Sequence, residues 1–195
     1  MSNWFRRQLP IALAILCLFA ARSSLADHYA IPSGSMEPIL LPGDRVIVDK
    51  LAYGLRVPFT DIKVIQGARP VRGEVVIFDS PEDGRRLIKR IVATGGDIVE
   101  IRGGHVLLNG TPMAAKSDPN REDFGARSAE LDLRFGGGPD VHATRVPEGY
   151  LLVLGDSRGN SRDGRWFGFV READVYAQAV RVYYRADEGF VWLPL

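Results

Sequence analysis

Short apolar stretches rich in Val and Ile fill the chain beyond residue 27, and they constrain its fold more than any other feature. Several alternate apolar and polar residues with a period of two, which is the pattern of a half-buried β-strand. Gly-Gly at 103–104 and Asn-Gly at 109–110 have the chemistry of hairpin turns. The sequence therefore predicts a mainly β, antiparallel domain over residues 27–195, with strands near 45–50, 74–80, 87–93, 97–101, 105–110, 150–157 and 175–185.

Two parts of this domain depart from the strand pattern. A helical turn is expected near Arg171–Asp174, and residues 114–145 show no regular period. The second segment includes the glycine-rich stretch 135–140. We expect 114–145 to form a small irregular excursion from the sheet, either a long loop or a small subdomain.

The N-terminal 26 residues have a different character. An apolar run, Leu9–Ala21, follows Arg6 and Arg7, and counting from Trp4 gives 18 residues, just enough to span a bilayer as a helix. We therefore expect residues 1–26 to be a single-pass anchor in the inner (cytoplasmic) membrane. The two arginines would keep the N-terminus in the cytoplasm and place the rest of the chain on the extracytoplasmic side.

Two other interpretations of this segment stay open. Small residues at Ser24 and Ala26 resemble a cleavage site, so the segment could be a removable signal peptide. A buried core helix of a cytosolic protein is the third interpretation.

The single cysteine, Cys17, lies in the apolar run, where a catalytic thiolate is hard to sustain.

The overall composition excludes several classes of function. A net charge of +1 gives no field that would attract nucleic acid, so no nucleic-acid partner is expected. One cysteine cannot form an intrachain disulfide, and no clustered His, Cys and Asp set suggests a metal site. No cofactor is expected.

Two serines, Ser33 and Ser35, lie one residue apart in the stretch IPSGSMEPILLPGD. A serine hydroxyl becomes a strong nucleophile only when a neighbouring base removes its proton. The three histidines of the chain have no companion acid at an informative spacing, which disfavours a Ser-His-Asp triad without eliminating it. They are His28, His105 and His142.

Lys89 is the other candidate base, because it lies inside the apolar stretch LIKRIVA. Neighbours in a strand face opposite sides, so Lys89 and Arg90 should point in opposite directions. If Lys89 faces inward, burial disfavours its charged form and lowers its pKa. The alternative is a lysine at the strand edge whose amine reaches out to water.

A third polar segment, GDSRGNSRDGR at 155–165, follows a predicted strand. Taken alone, it could be a surface loop stabilised by ion pairs and Asx turns. The three segments together resemble those of the type I signal peptidases, the Ser-Lys endopeptidases that remove signal peptides from exported proteins. The serine segment, the lysine segment RGEVVIFDSPED…LIKRIVATGGD and this polar segment appear in the order found in that family.

This resemblance implies a role for each matching residue. Ser35 would be the nucleophile and Lys89 the general base. Ser33 would add its hydroxyl to an oxyanion hole beside the Ser35 N–H, and Ser161 would hydrogen-bond the Lys89 amine. Asp163, Arg165 and Arg90 would form an ion-pair brace beneath the site.

The resemblance also implies substrates and a location. Signal-peptide-bearing preproteins would bind extended beside residues 28–36, with small side chains at −1 and −3 in shallow pockets. The expected pocket residues are Ile31, Pro32, Met36, Leu40 and Ile88. Membrane lipid is the second expected partner. Ile39, Leu40 and Leu41 could contact it, or they could pack in the ordinary way against a strand.

Three departures from the family pattern leave room for other functions. The family usually has Asn at the position of Ser157, Ser at that of Gly164, and Gly-x-Pro-Gly-Asp where this chain has 93–97. A peptidase dedicated to one secreted, pilus or conjugation substrate is one alternative, and a self-cleaving repressor is another. The last is an inactive exported β-domain that acts as a binding module.

Overall fold

The structure is a computed structural model, and it describes Gln8, Pro10 and residues 26–56 and 63–195. The predicted anchor over residues 1–26 lies outside these residues, apart from Gln8, Pro10 and Ala26. Within the described part of the chain, no helix combines the length and apolar character that a membrane span needs.

Strands dominate the described chain. In chain order they are β1 Ala26–Ala30, β2 Arg45–Asp49, β3 Gly54–Arg56, β4 Lys63–Gln66, β5 Val75–Asp79, β6 Arg86–Thr94, β7 Ile98–Arg102, β8 His105–Leu108, β9 Thr111–Pro112, β10 Ala114–Ala115, β11 Asp118–Asp123, β12 Ser128–Glu130, β13 Val141–Arg145, β14 Tyr150–Leu154, β15 Val170–Arg171, β16 Val175–Arg185 and β17 Gly189–Pro194. The helices are short. They are the 3₁₀ turns Gly34–Met36, Arg158–Asn160 and Glu172–Asp174, and the α-helix α1, Gly164–Phe167.

The predicted strands and turns are confirmed. Each of the seven apolar stretches forms a strand, and a 3₁₀ turn lies at Glu172–Asp174. Gly103 and Gly104 both have positive φ in the turn between β7 and β8, and so do Asn109 and Gly110 between β8 and β9. Positive φ at both central residues is what a tight hairpin of this kind requires.

The main sheet of the described chain has eight antiparallel strands in the order β1-β2-β16-β5-β6-β14-β15, with β17 paired to β16. This order leaves β1 at an edge, directly before the turn that carries Ser35. Strand β6 pairs with β5 over Arg86–Arg90, but with β14 only over Arg90–Thr94. The half of β6 that carries Lys89 is therefore not paired to β14.

The expected excursion over residues 114–145 is more regular than its sequence pattern suggested, since half of its residues lie in strands. Strands β10, β11 and β12 form a three-stranded sheet, and β13 pairs with β7 in a separate sheet of β13, β7, β8 and β9. Most side chains of β11 and β13 are exposed and polar. Because few of them are buried, these strands lack the apolar alternation by which a strand is recognised in a sequence.

The hydrophobic core packs against the segment that carries the candidate site. One buried cluster joins the segment around Ser35 to strands β2, β5 and β16, with Ile31, Met36 and Leu40 fully or almost fully buried. Burying such side chains supplies most of the free energy that holds a turn of this kind against a sheet. The position of Ser35 is thereby fixed relative to strands β5 and β6.

Candidate active site

Ser35 lies in the 3₁₀ turn Gly34–Met36, which directly follows β1 and residues 31–33. Met36 is fully buried in the core, and Ser35 itself is largely buried. A Cβ atom at position 34 would collide with the end of the Glu37 side chain, which would have to move to admit another residue. The packing of Met36 in the core therefore holds the turn that carries the hydroxyl.

Lys89 meets Ser35 inside the protein. Its Nζ lies 2.7 Å from Ser35 Oγ, and it also donates to the carbonyl of Ile88 at 3.0 Å. Lys89 is only 3% exposed, so its amine does not reach out to water. The β-strand alternation that turns Lys89 towards Ser35 turns Arg90 to the other side of the sheet.

The protein lowers the basicity of this amine. Burial, which disfavours the ammonium form, lowers the pKa of Lys89 from 10.5 to about 8, while the negative charges of Asp163 and Asp156 act in the opposite direction. At neutral pH roughly one lysine in ten would then be neutral, compared with fewer than one in a thousand at the ordinary pKa. A neutral amine beside the hydroxyl can accept its proton.

Ser33 is the second hydroxyl at this position. Its Oγ lies 3.5 Å from Ser35 Oγ, on the exposed side of the turn. Lys89 and Ser33 are the hydrogen-bond partners of the Ser35 hydroxyl among the described residues, and none of the three histidines is a partner. The geometry therefore offers a lysine, not a histidine, as the base.

The predicted hydrogen bond from Ser161 to Lys89 is wrong for this structure. The Ser161 hydroxyl is buried, but the described residues offer it no hydrogen-bond partner. It does lie near Ser35, because a Cβ at Gly155 would collide with both Ser161 Oγ and the carbonyl oxygen of Ser35. Ser161 and the Ser35 backbone therefore both lie close to Gly155, and Ser161 makes no bond to the Lys89 amine.

The predicted ion-pair brace is present for Asp163 and Arg165. The two side chains are fully buried and form two hydrogen bonds, each 2.8 Å long. Asp163 also accepts the N–H of Gly155 at 3.0 Å and caps α1 by accepting the N–H of Arg165. Because buried charges are stable only when paired and hydrogen-bonded, these contacts hold the loop in one conformation.

Arg90 belongs to a different pair, which corrects the expected brace. Its guanidinium binds Asp156 through two hydrogen bonds of 2.9 and 2.7 Å, and both side chains are almost fully buried. The loop is held at a third point by Arg158, which forms a fully buried pair with Glu122 of β11 at 2.6 Å. Each of the three arginines thus fixes a different part of the segment 155–165.

The predicted pocket residues do not form one exposed surface. Met36 and Leu40 have no exposed surface and Ile31 almost none, so they support the site and cannot line an open pocket. Pro32 is exposed and Ile88 is half-buried, which leaves these two able to contact a substrate. Apolar residue types suit a shallow pocket and a protein core equally well, so the sequence alone does not distinguish the two.

Sequence reasoning missed two acidic residues that contact the polar loop, Asp132 and Glu122. Both lie in the segment 114–145, where no motif or strand pattern marks them. Asp132 and Glu122 matter because they are buried in contact with the polar loop, and a single sequence does not show which residues are brought together in this way. The described residues contain no group of three or more His, Cys, Asp or Glu side chains placed to bind a metal ion.

Comparison with known proteins identifies the family of this chain. A family model described as "Signal peptidase, peptidase S26" matches residues 2–184. A signal peptidase I of Pseudomonas fluorescens is 36% identical over 200 residues, which cover 89% of this chain and 69% of that protein. One from Aquifex aeolicus is 31% identical over 227 residues, covering 92% and 84%. The chain belongs to the signal peptidase family, peptidase S26.

A solved structure has also been matched, a crystal structure of a signal peptidase I from Enterococcus faecalis. It is 30% identical, and the match covers 57% of this chain and 97% of that one with a TM-score of 0.41. Membership of the family rests on the sequence matches and not on this superposition.

Proposed function

We propose that this protein is a membrane-bound serine endopeptidase that removes N-terminal signal peptides from exported preproteins through a Ser35–Lys89 dyad. The observation that carries the proposal is the 2.7 Å contact between a buried lysine amine and a serine hydroxyl. Membership of the signal peptidase family supports the choice of substrate. The depressed pKa of Lys89 supports its role as the base.

The first half of the reaction forms an acyl-enzyme. Neutral Lys89 takes the proton of Ser35 as the oxygen attacks the carbonyl carbon of the scissile peptide bond. The Ser35 N–H and the Ser33 hydroxyl stabilise the oxyanion that develops, and such donors are commonly worth about 3 kcal/mol each in the transition state. The protonated lysine then gives its proton to the leaving amine, which is the new N-terminus of the mature protein.

The second half releases the signal peptide. Lys89, neutral again, takes a proton from a water molecule that attacks the ester carbonyl on Ser35. The tetrahedral intermediate collapses, and the lysine returns its proton to the Ser35 oxygen. The four groups that this scheme uses belong to Ser33, Ser35 and Lys89, and it needs no metal or cofactor.

The substrate would bind as an added strand. Strand β1 is an edge strand that runs into residues 31–33, and the Lys89 half of β6 is not paired to β14. Tyr29 of β1 touches Arg86 of β6 through a 3.1 Å hydrogen bond, so the two strands approach each other at this end. An extended peptide lying along these backbones would gain main-chain hydrogen bonds and reach Ser35 at its scissile bond.

A cleavage assay tests the proposed function. The full-length protein in detergent or vesicles is mixed with a preprotein carrying small residues at −1 and −3, and the product is identified by mass. We expect one cut after the −1 residue, and none by Ser35→Ala. Cleavage of one cognate substrate in a panel, with generic preproteins left intact, would favour the dedicated peptidase. No cut in any substrate, with Ser35 unreactive, would refute the proposal.

The pH dependence of this assay gives a further prediction. Because the active form of Lys89 is neutral and its pKa is about 8, kcat/KM should rise about tenfold per unit of pH below pH 8 and level off above about pH 9. Initial rates at low substrate concentration between pH 5.5 and 10 would show this limb. A limb centred near pH 6.5 would indicate a histidine as the base and contradict the dyad.

The membrane contact is proposed to lie on β17, with the catalytic domain on the extracytoplasmic side of the cytoplasmic membrane. Phe190 and Trp192 are 88% and 62% exposed, and Arg181 lies over the Trp192 ring at 5.2 Å. Aromatic rings beside a cationic group suit the boundary between lipid and water. The stretch suggested earlier, 39–41, fits less well, because Leu40 is fully buried.

The double variant Phe190→Ser/Trp192→Ser tests this contact. In vesicles with anionic lipid, we expect a roughly tenfold lower kcat/KM on a membrane-embedded preprotein, because the variant loses aromatic area that enters the interface. Its rate on a short soluble peptide should be unchanged. The control is Leu51→Ser, another exposed apolar residue. Equal rates for the double variant and the wild type on the embedded substrate would contradict the contact.

A further inference from the structure

One residue of the excursion, Asp132, is attached to the polar loop by its backbone. Its N–H donates to the carbonyl of Asp156 at 2.9 Å, and its carbonyl accepts the N–H of Arg158 at 3.0 Å. These two bonds form an isolated parallel bridge between Asp132 and Ser157. The excursion and the loop that carries Ser161 are therefore joined in register at one point.

Ser157 connects this point to the nucleophile. Its side chain is fully buried, and its hydroxyl donates to Asp132 Oδ2 at 3.1 Å. Its backbone N–H donates to the carbonyl oxygen of Ser35 at 3.2 Å. A continuous path of two hydrogen bonds thus runs from the carboxylate of Asp132 through Ser157 to the backbone of the nucleophile.

A second path returns from the same carboxylate to the nucleophile turn. Arg134 donates to Asp132 Oδ1 through its Nε and to Asp132 Oδ2 through its Nη2, both at 2.9 Å, and it donates to Glu37 Oε2 at 2.7 Å. The carboxylate of Glu37 in turn lies against Gly34, at the position that a Cβ there would occupy. The contacts close a ring through Glu37, Arg134, Asp132, Ser157 and the Ser35 turn.

The carboxylate of Asp132 keeps its charge in the working pH range. Hydrogen bonds from the Arg134 side chain lower the pKa of Asp132 to about 2, and the Arg134 backbone N–H and the Ser157 hydroxyl make smaller contributions. Both carboxylate oxygens accept hydrogen bonds, which come from Ser157 and Arg134. An amide at this position would turn an NH₂ group towards one of these donors, so even an isosteric change would disturb the contact.

We propose that Asp132 and Ser157 are positioning residues for the Ser35 nucleophile, through the hydrogen bond from the Ser157 N–H to the Ser35 carbonyl. This inference rests on the proposed function for its main assay. The two residues touch no reacting atom, and they act by holding the backbone on which the hydroxyl and the oxyanion-binding N–H depend. Misplacement of a reacting group by about 1 Å can cost about a hundredfold in rate.

The residue type at position 157 suits this role. The short side chain of Ser157 reaches the carboxylate of Asp132. The excursion thereby supplies the acceptor, and a segment outside the three family motifs becomes part of the support for the nucleophile. Substitutions in residues 131–134 would then lower the reaction rate, although these residues lie far from Ser35 in the sequence.

Three variants test the proposal: Asp132→Asn, Ser157→Ala and the double variant. For each single variant we expect kcat to fall about 10- to 100-fold with KM within twofold of wild type. The double variant should be no slower than the slower single variant, because both changes break one contact. The pH limb near 8 should stay in place, since Lys89 keeps its surroundings. Asp118→Asn and Ser117→Ala, exposed positions of the same excursion, are the matched controls and should behave as wild type.

The readouts separate positioning from simple stability. Rates are referred to folded protein, measured by circular dichroism and by titration of reactive Ser35. Wild-type kcat in Asp132→Asn and Ser157→Ala, with only a lower melting temperature, would overturn the proposal. If Ser157→Ala does not fold, Arg134→Gln changes an exposed side chain of the ring instead. It should lower kcat about three- to tenfold, and wild-type kcat in it and in Asp132→Asn would overturn the proposal.

A second substrate makes the two possible failures distinguishable. An activated amino-acid ester needs Ser35 and Lys89 but no signal peptide, and all variants are assayed on it in parallel. If the wild type hydrolyses the ester and cuts no preprotein, the proposed function fails while the positioning test proceeds on the ester. If the variants equal the wild type on the ester, the positioning proposal fails whatever the preprotein result.

Discussion

Replacing Lys89 by methionine is expected to lower kcat/KM on a preprotein by at least about 10³-fold, because the hydroxyl of Ser35 loses its proton acceptor. Methionine matches the lysine stem in volume and suits a buried position, so the protein should stay folded. Lys89→Arg should be as inactive, because a guanidinium stays protonated and cannot act as a base. The measurement is the initial rate at low substrate concentration, near pH 9.

Lys116→Met is the matched control, since Lys116 is exposed and distant in sequence from the reacting pair. It should retain the wild-type rate. The double variant Ser35→Ala/Lys89→Met should be no less active than either single variant, because the two groups act as a unit. An active Lys89→Arg variant would show that the positive charge matters and the free amine does not, contrary to the dyad.

The second large effect concerns stability and not chemistry. Arg90→Met should lower the free energy of unfolding by about 3–5 kcal/mol, because it leaves the carboxylate of Asp156 buried without a partner. The wild-type pair is almost fully buried and bidentate, so water cannot replace the lost guanidinium. Urea unfolding followed by fluorescence of the tryptophans measures the change.

A second substitution separates loss of the pair from loss of packing. Adding Asp156→Leu to Arg90→Met removes the stranded charge, and we expect it to restore a large part of the lost stability. Arg85→Met, at an exposed arginine paired with Asp83, should change stability by no more than about 0.5 kcal/mol. A similarly small effect of Arg90→Met would contradict the assignment of the pair as a buried support.

The contact between Lys89 and Ser35 was accessible from sequence because a strand has a simple geometry. Lys89 lies in an apolar stretch whose alternation fixes the side it faces, and Ser35 lies in a turn rich in Gly and Pro. The resemblance to a family with three ordered motifs then joined two residues that are 54 positions apart. The antiparallel architecture followed from the same local periodicity.

The partners of Arg90 and Arg158 were not accessible in this way, unlike the Asp163–Arg165 pair that the family resemblance implied. Arg90 binds Asp156 and Arg158 binds Glu122, and both choices depend on how sheets pack against a loop. The strands of the excursion are polar on most positions, so burial of Glu122 and Asp132 leaves no mark in their neighbours. The predicted pocket residues Ile31, Met36 and Leu40 lie in the core instead, because an apolar side chain suits a core and a pocket equally well.

The most direct test of the dyad is the pKa of Lys89 in the folded wild-type protein. The chain has four lysines, so selective isotope labelling gives a spectrum of few signals, and Lys89→Met assigns the one that disappears. Following the labelled side chain by NMR from pH 6 to 11, we expect Lys89 to titrate with a pKa of about 8. A pKa at or above the ordinary 10.5 would mean that the amine is charged throughout the working range and cannot deprotonate Ser35.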